Sequence, residues 1–289
     1  MDYKKHVGID LHIHSTASDG TLSPQEIISL AHSFNMGAIA ITDHDTIDGS
    51  KEASTLDIPP SLKLLAGVEI SVSSNPSLSY AGSFHMLGYS IRLDDPVLNR
   101  TLDMLQDARR NRNPRIINCL NNLGINFSLK DVADEFGEGQ LGRPHIAQLM
   151  VKRGFVKSID EAFDRYLGAG RPAYIDKYRL DCGQAIEIIL AAGGIPVLAH
   201  PFFLHIENKN LFENFIINLK GLGLKGIETY YPAHSRDLTA FYIKIAKRYD
   251  LLMTGGTDFH GSIKPDIKIG SGRGDLFVPY SLYEKLVNR

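Results

Sequence analysis

Cysteine and net charge are the two things this 289-residue chain nearly lacks. Only Cys119 and Cys182 occur, each alone and outside any CxxC pairing, which excludes a disulfide framework and a thiolate zinc site. Lys and Arg (31) almost balance Asp and Glu (33), for a formal charge of −2, so no basic excess is available to hold long nucleic acid by electrostatics. No apolar run approaches the ~20 residues of a membrane span, and Met1-Asp2-Tyr3-Lys4-Lys5-His6 leads into no apolar signal region. A soluble cytoplasmic protein is expected, without membrane contact or an obligate protein partner. Internal repeats and low-complexity tracts are missing too. What is present is ordinary globular usage, 43% apolar and 22% charged, in a chain long enough to bury a sizeable core. Its length suits two domains, or one α/β barrel with an insertion.

Seven short apolar runs stop at polar residues: 7–13, 38–41, 62–70, 84–89, 195–199, 226–230 and 251–255. Helical periodicity follows most of them. Ser23-Pro24-Gln25-Glu26 reads as a capping box with proline in the first turn, opening a helix that runs to Met36 and stops at Gly37. Further helices are predicted over Asp181–Ala192, closed by Gly193-Gly194, and over Asn208–Lys220 and Ser235–Tyr249. Strand followed by helix, repeated, predicts a parallel α/β fold. From Asp94 to Lys177 helical signals follow one another without a strand, so residues 1–93 and 178–289 are expected to form one barrel around a helical insertion at 94–177. That insertion contains a second capping box, Ser158-Ile159-Asp160-Glu161, and Arg109, Arg110, Arg112 and Arg115 at near-helical spacing. Such a run is either a solvated face or a source of substrate contacts.

The chemistry-bearing residues sit at the ends of the apolar runs. In His12-Ile13-His14, alternate strand residues share a face, so both imidazoles point one way and form a metal edge. Asp19 follows in Ser18-Asp19-Gly20, where an Asp also serves as a turn former. Thr42-Asp43-His44-Asp45 is a cluster costly to bury unless paired or metal-bound. Glu69 lies in the third run and His85 in the fourth, where an isolated histidine is commonly a hydrogen-bonded core residue. Later runs end in Ala199-His200-Pro201 and Thr257-Asp258-Phe259-His260. Each is explicable alone; together, six histidines and three carboxylates at strand exits point to one metal-binding bowl, since the strand ends of an α/β barrel converge on one rim.

These segments run in the order found in the polymerase and histidinol phosphatase (PHP) family of metal-dependent phosphoesterases, which the chain resembles. The matching text is Asp10-Leu11-His12-Ile13-His14-Ser15, Thr42 to Thr46, Gly67-Val68-Glu69, Phe84 to Tyr89, Ala199-His200-Pro201 and Gly256 to Gly261. Gly142-Arg143-Pro144-His145-Ile146-Ala147 and Tyr166 to Tyr174 are similar to one subgroup, the 3',5'-nucleoside bisphosphate phosphatases and related 5'-to-3' exoribonucleases. The resemblance implies a distorted (β/α)7, TIM-like barrel with a small inserted helical domain. It also implies three divalent transition ions per chain: His12, His14, Glu69 and Asp258 on the first, Glu69 bridging to a second on His85 and His200, and Asp19, His44 and His260 on the third. All-N/O ligation suits manganese, the first expectation, and also iron or zinc. The Glu69–His85 segment, with Ser71, Ser73, Ser74, Asn75, Pro76 and Ser77, is longer than the family pattern.

Three divalent ions against Asp19, Glu69 and Asp258 leave an excess of about three positive charges, which favours a phosphate ester over a neutral amide. The expected reaction is attack on phosphorus by a metal-activated hydroxide, removing the 3'-phosphate of a 3',5'-nucleoside bisphosphate, with short 5'-phosphorylated oligonucleotides also in range. Arg143 is expected to grip a phosphate, its alternative being a structural ion pair, and His234 to contact phosphate or protonate the leaving oxygen. His6, His32, His145 and His205 have no comparable company. The alternatives are a histidinol-phosphate phosphatase, disfavoured by the insertion, and a non-catalytic metal-binding module, disfavoured by the complete donor set.

Overall fold

The computed structural model describes residues 8–73, 80, 82–137, 141–176 and 178–288. Seven strands form at the predicted runs: β1 (Ile9–Ile13), β2 (Ala38–Ile41), β3 (Lys63–Ser73), β4 (His85–Tyr89), β6 (Ile195–Leu198), β7 (Gly226–Tyr230) and β8 (Leu252–Gly255). They pair in the order β1-β2-β3-β4-β6-β7-β8, and a two-residue strand, β5 (Leu180–Asp181), adds to β3. The sheet curls into a nearly closed, TIM-like barrel: Ile13 bridges to Phe259 just beyond β8, and the buried Tyr89 of β4 donates 2.8 Å to the Leu11 carbonyl of non-adjacent β1. Among the described residues no helix is long and apolar enough to cross a membrane.

The sheet is not wholly parallel, which corrects the reading from strand–helix alternation. β4 runs antiparallel to both β3 and β6. Only residues 74–84 separate β3 from β4, too few for the helical crossover a parallel neighbour needs. The long Glu69–His85 segment noted in the sequence falls there, and its residues 74–79 lie outside the described residues. Reversal places the first residue of β4, His85, opposite Ser71 near the end of β3.

Local signals fixed the helices. α1 (Pro24–Ser33) has the Ser23–Glu26 capping box, and ends before Met36 because Asn35 turns to φ 52°. After α2 (Asp48–Ser54), the helices α7 (Cys182–Ala191), α8 (Lys209–Gly221) and α9 (Arg236–Arg248) begin at side-chain caps Asp181, Asn208 and Ser235. α10 (Tyr280–Val287) closes the chain. Between β4 and β5 lie α3 (Pro96–Asn122), α4 (Leu129–Phe136), α5 (Arg143–Lys152), α6 (Ile159–Ala162) and a π-helical turn at Phe163–Leu167. Leu98, Leu102 and Leu105 of α3 pack with Ile186 and Ile189 of α7, whereas its Ile116, Ile117 and Leu120 join Val132, Ile146, Leu149 and Leu167 in a separate core. One helix thus belongs to both bodies. The second predicted capping box is only half formed: Ser158 accepts from the Glu161 N–H, but Glu161 reaches back to Lys157 instead of Ser158.

The β1–β8 seam depends on a glycine. A Cβ on Gly256 would lie 2.4 Å from both the amide nitrogen and Cβ of His12, so backbone would have to move. Gly256→Ala is expected to cost about 1–3 kcal/mol, read as a lowered melting temperature, whereas Gly221→Ala, at a position with open space, is expected to be neutral or stabilising.

Candidate metal centre

Nine donors named from the sequence come together at one rim. The β1 pair His12 and His14 is fully buried, with ring centroids 5.3 Å apart. Their Nε2 atoms face Glu69 Oε2 at 3.5 and 3.3 Å and Asp258 Oδ1 at 3.6 and 3.1 Å. The other oxygen of Glu69, Oε1, lies 2.8 Å from both His85 Nδ1 and His200 Nε2, which are 3.3 Å from each other. Asp19 Oδ1 is 3.3 Å from His260 Nε2, and Asp19 Oδ2 is 3.9 Å from His44 Nε2. His44 looks both ways, because its Nδ1 is 2.8 Å from Glu69 Oε2.

Ordinary hydrogen bonding does not account for this packing. His12 Nε2, His14 Nε2, His44 Nδ1 and Glu69 Oε2 are buried and crowd together without a well-aligned hydrogen bond among the described residues, an arrangement that is costly unless a further charge is shared among them. Burial alone would raise the carboxyl groups of Glu69, Asp19 and Asp258, yet facing imidazoles, and Lys264 beside Asp258, hold all three well below the usual carboxylate range. Burial pushes His85 down to about 3 and His260 to about 4, leaving their lone pairs free at neutral pH, whereas for His12 and His14 the facing carboxylates outweigh burial and shift both up, His14 to about 9. Carboxylates held ionised beside imidazoles, in groups within ligand distance of one another, fit divalent ions with N/O ligation.

Beside this rim the insertion encloses a cleft of about 470 Å³. Asp19, His44 and His85 line it together with Arg109, Arg112, Arg143 and Arg179. The arginine run of α3 therefore divides: Arg109 and Arg112 are 7% and 5% exposed, while Arg110 and Arg115 face solvent. Arg109 donates to Asp45 at 2.6 Å and Arg179 to Asp176 at 2.7 Å. Arg143 donates to the Leu167 carbonyl at 2.8 Å and lies over the rings of Phe163 and Tyr174. Arg112 has neither an ion pair nor a hydrogen bond among the described residues. Burial, then Arg109 and Arg143, lower its pKa to about 9. His234 stands apart from the donors, its Nδ1 3.0 Å from the Thr229 carbonyl and its ring 5.3 Å from Tyr231 and 4.8 Å from Tyr242.

The PHP domain model matches residues 10–189 of the chain. The protein belongs to the PHP family. It is a phosphoric ester hydrolase by that membership, and its donor clusters suit the metal dependence of PHP phosphoesterases. A 5'-3' exoribonuclease of Haemophilus influenzae is 34% identical over 251 residues, covering 87% of this chain and 89% of the relative. A 3',5'-nucleoside bisphosphate phosphatase of Chromobacterium violaceum is 32% identical over 254 residues, 87% of each chain. A solved structure described as an amidohydrolase from C. violaceum, with bound sulfate and no metal, superposes with a TM-score of 0.82 at 30% identity, covering 97% of this chain and 96% of the other.

Around these candidate donors lie partners to which strand-end reasoning assigned no role. Asp43 accepts from Ser15 N, Ser15 Oγ and Ser18 Oγ, holding the turn that presents Asp19. Tyr231 Oη and Lys264 Nζ both donate to Asp258 Oδ2, at 2.8 and 2.6 Å. Glu228, fully buried in β7, accepts from His12; its one sequence signal is a lone acid inside an apolar strand, as with Glu69. Asp45 takes Arg109 Nη2 and the Ser71 amide, tying insertion to barrel. His145 accepts from Gly142 N and caps α5.

Breaking the Asp45–Arg109 pair from one side leaves a buried charge alone. Asp45→Asn is expected to cost about 3–5 kcal/mol, and adding Arg109→Met is expected to recover part of that loss in a double-mutant cycle followed by thermal melting.

Proposed function

We propose that the protein removes the 3'-phosphate of a nucleoside 3',5'-bisphosphate in a metal-dependent hydrolysis, in the cytoplasm. The observation that carries this reading is a cleft lined both by nitrogen and carboxylate donors and by a buried guanidinium, Arg112, that has no ion pair among the described residues. A substrate with two phosphates satisfies both. The names of the two curated relatives support the same substrate class. A further cleft of about 680 Å³ opens across Arg109, lined in part by Ala17, Asn113, Leu129 and Ala133, and supports room for a second nucleotide, which keeps short 5'-phosphorylated oligonucleotides in range.

In this reading the barrel (1–93 and 178–289) carries the metals, and the 94–177 insertion is a cap that recognises substrate. His12, His14, Glu69 and Asp258 hold one ion; Glu69, His85 and His200 a second; Asp19, His44 and His260 a third, with manganese the leading candidate. When bound, the ions supply an activated water and neutralise phosphoryl oxygens. The chain's own work is orientation. Arg112 and Arg143 fix the phosphate that does not react, Arg143 with a guanidinium already held flat by Leu167, Phe163 and Tyr174. Tyr231 and Lys264 hold Asp258 in place. His234 is assigned to support Tyr231, whose ring is 5.3 Å from His234 and 5.5 Å from His200.

Protein purified without chelator is expected to carry more than one transition-metal ion per chain by elemental analysis, and to release phosphate from nucleoside 3',5'-bisphosphates when manganese is supplied. Glu69→Ala is expected to lower both more than any other single donor substitution, because its two oxygens face two donor groups. Full activity in metal-free protein, or turnover of histidinol phosphate with none of nucleoside bisphosphates, would refute the proposal.

The two arginines that form no ion pair among the described residues give a sharper test. Arg143→Ala is expected to lower kcat/KM for a bisphosphate by about 10- to 150-fold, the loss of a charge-assisted contact of roughly 1.5–3 kcal/mol, with a much smaller effect on a monophosphate. Arg112→Met is expected to show the same substrate selectivity and also to raise the melting temperature of the ligand-free protein by roughly 2 °C or more. A structural arginine would give the opposite result, lower stability and equal impairment toward both substrates.

A further inference from the structure

We propose that Glu228 is a positioning residue that couples two metal sites of this centre, each of its carboxylate oxygens holding a different metal-facing histidine. The inference rests on the metal-dependent reading above. Glu228 lies in the middle of β7 and is completely buried. Its Oε1 is 3.0 Å from His12 Nδ1, and its Oε2 accepts from the backbone N–H of His200 at 2.7 Å. The rings of these two histidines stack with centroids 5.6 Å apart. On their far side, His12 Nε2 faces Glu69 Oε2 and His200 Nε2 faces Glu69 Oε1. The stacked pair is therefore clamped between two carboxylates, Glu69 among the donors and Glu228 behind them.

Each end of Glu228 solves a different problem. His12 must present a lone pair from Nε2, which is buried and unpartnered, so its proton resides on Nδ1 and needs an acceptor there. The His200 ring has no such help, because its Nδ1 has no hydrogen-bond partner among the described residues. What directs this side chain is its backbone, held in the left-handed region at φ 23°, a strained conformation for a residue with a side chain and pinned by the 2.7 Å bond to Glu228. One carboxylate thus sets ring orientation at one site and chain direction at the next. Both partners donate, so an amide in its place would turn an NH2 group toward one of them.

Glu228→Gln keeps the shape and removes the second acceptor. In the manganese-loaded protein it is expected to weaken metal affinity about 10- to 100-fold, with fewer ions per chain than wild type after dialysis, while the metal-free variant keeps the wild-type circular dichroism. Wild-type metal content and affinity in the variant would overturn the proposal, as would a chain that fails to fold with or without metal, which marks a structural role. A measurement without substitution stands beside it: in zinc-loaded wild-type protein, imidazole-selective nitrogen NMR is expected to find His12 protonated at Nδ1, and protonation at Nε2 would overturn the assignment. If wild-type protein binds no metal at all, the underlying functional reading fails, and that outcome is distinct from all of these.

Discussion

The structure turns on the placement of Glu69, a carboxylate with no exposure at all in the middle of an eleven-residue strand. An isolated ion there would be strongly disfavoured. It is tolerated because its two oxygens are met by imidazoles from four other segments, His12 and His14 in β1, His44 beyond β2, His85 in β4 and His200 beyond β6. Every one of those segments must end at the same rim for this to hold. The barrel's curl, the Gly256 contact that closes its seam and the left-handed backbones of Asp45, His200 and Asp258 all serve that convergence.

The reversal of β4 follows from the same constraint and determines the insertion. A parallel β4 would place its first residue at the far rim, away from Glu69; antiparallel, it delivers His85 to Glu69 Oε1 without a crossover helix. The cost is that β4 leaves the barrel at the rim opposite the donors. The chain must then travel back, and α3 does so. Arg109 lies thirteen residues after Pro96, about 20 Å along a helix, which lifts it and Arg112 from the far side to the donor rim. The same helix packs Leu98, Leu102 and Leu105 on the barrel and Ile116, Ile117 and Leu120 in the cap, so the arginines sit at the junction of two cores.

What the sequence made legible was local. Ser23, Asp181, Asn208 and Ser235 announce their helices because a cap is decided by the next three residues, and the seven strands announce themselves by short apolar runs with polar ends. The convergence of the nine candidate donors was legible for a related reason: in a barrel, strand ends meet at one rim, so one local feature carries long-range information. Strand direction is not local. Nothing within Phe84 to Tyr89 marks it as antiparallel; the only sign is the short stretch 74–84, and length was read there as a departure from the family rather than as a missing crossover. The two-residue β5 exists only because β3 is there to pair with. Glu228 escaped notice because it lies inside its strand and not at the end, although Glu69 occupies the same kind of position. The arginine run was ambiguous for a geometric reason, since helical spacing puts Arg109 and Arg112 on one face and turns Arg110 and Arg115 outward, and only the packed cap decides which face is wet.

The cleft's electrostatics bind these features to the proposed chemistry. Asp45 and Asp176 pair with Arg109 and Arg179, and Arg112 and Arg143 form no ion pair among the described residues, with Asp45 and Asp176 acting on them only at longer range. On the barrel side, divalent ions in the donor groups would outweigh Asp19, Glu69 and Asp258. The donor residues and the arginines are then both cationic in one cleft, and each raises the cost of the other. A neutral ligand leaves that repulsion in place, and a single phosphate relieves it at one of them only. An anion charged at both ends relieves it at both, and its binding energy includes the repulsion it removes. Selectivity for such a molecule thus comes from a cleft that is destabilised while empty, which is why the arginine that lacks a partner carries more information about the substrate than those that have one.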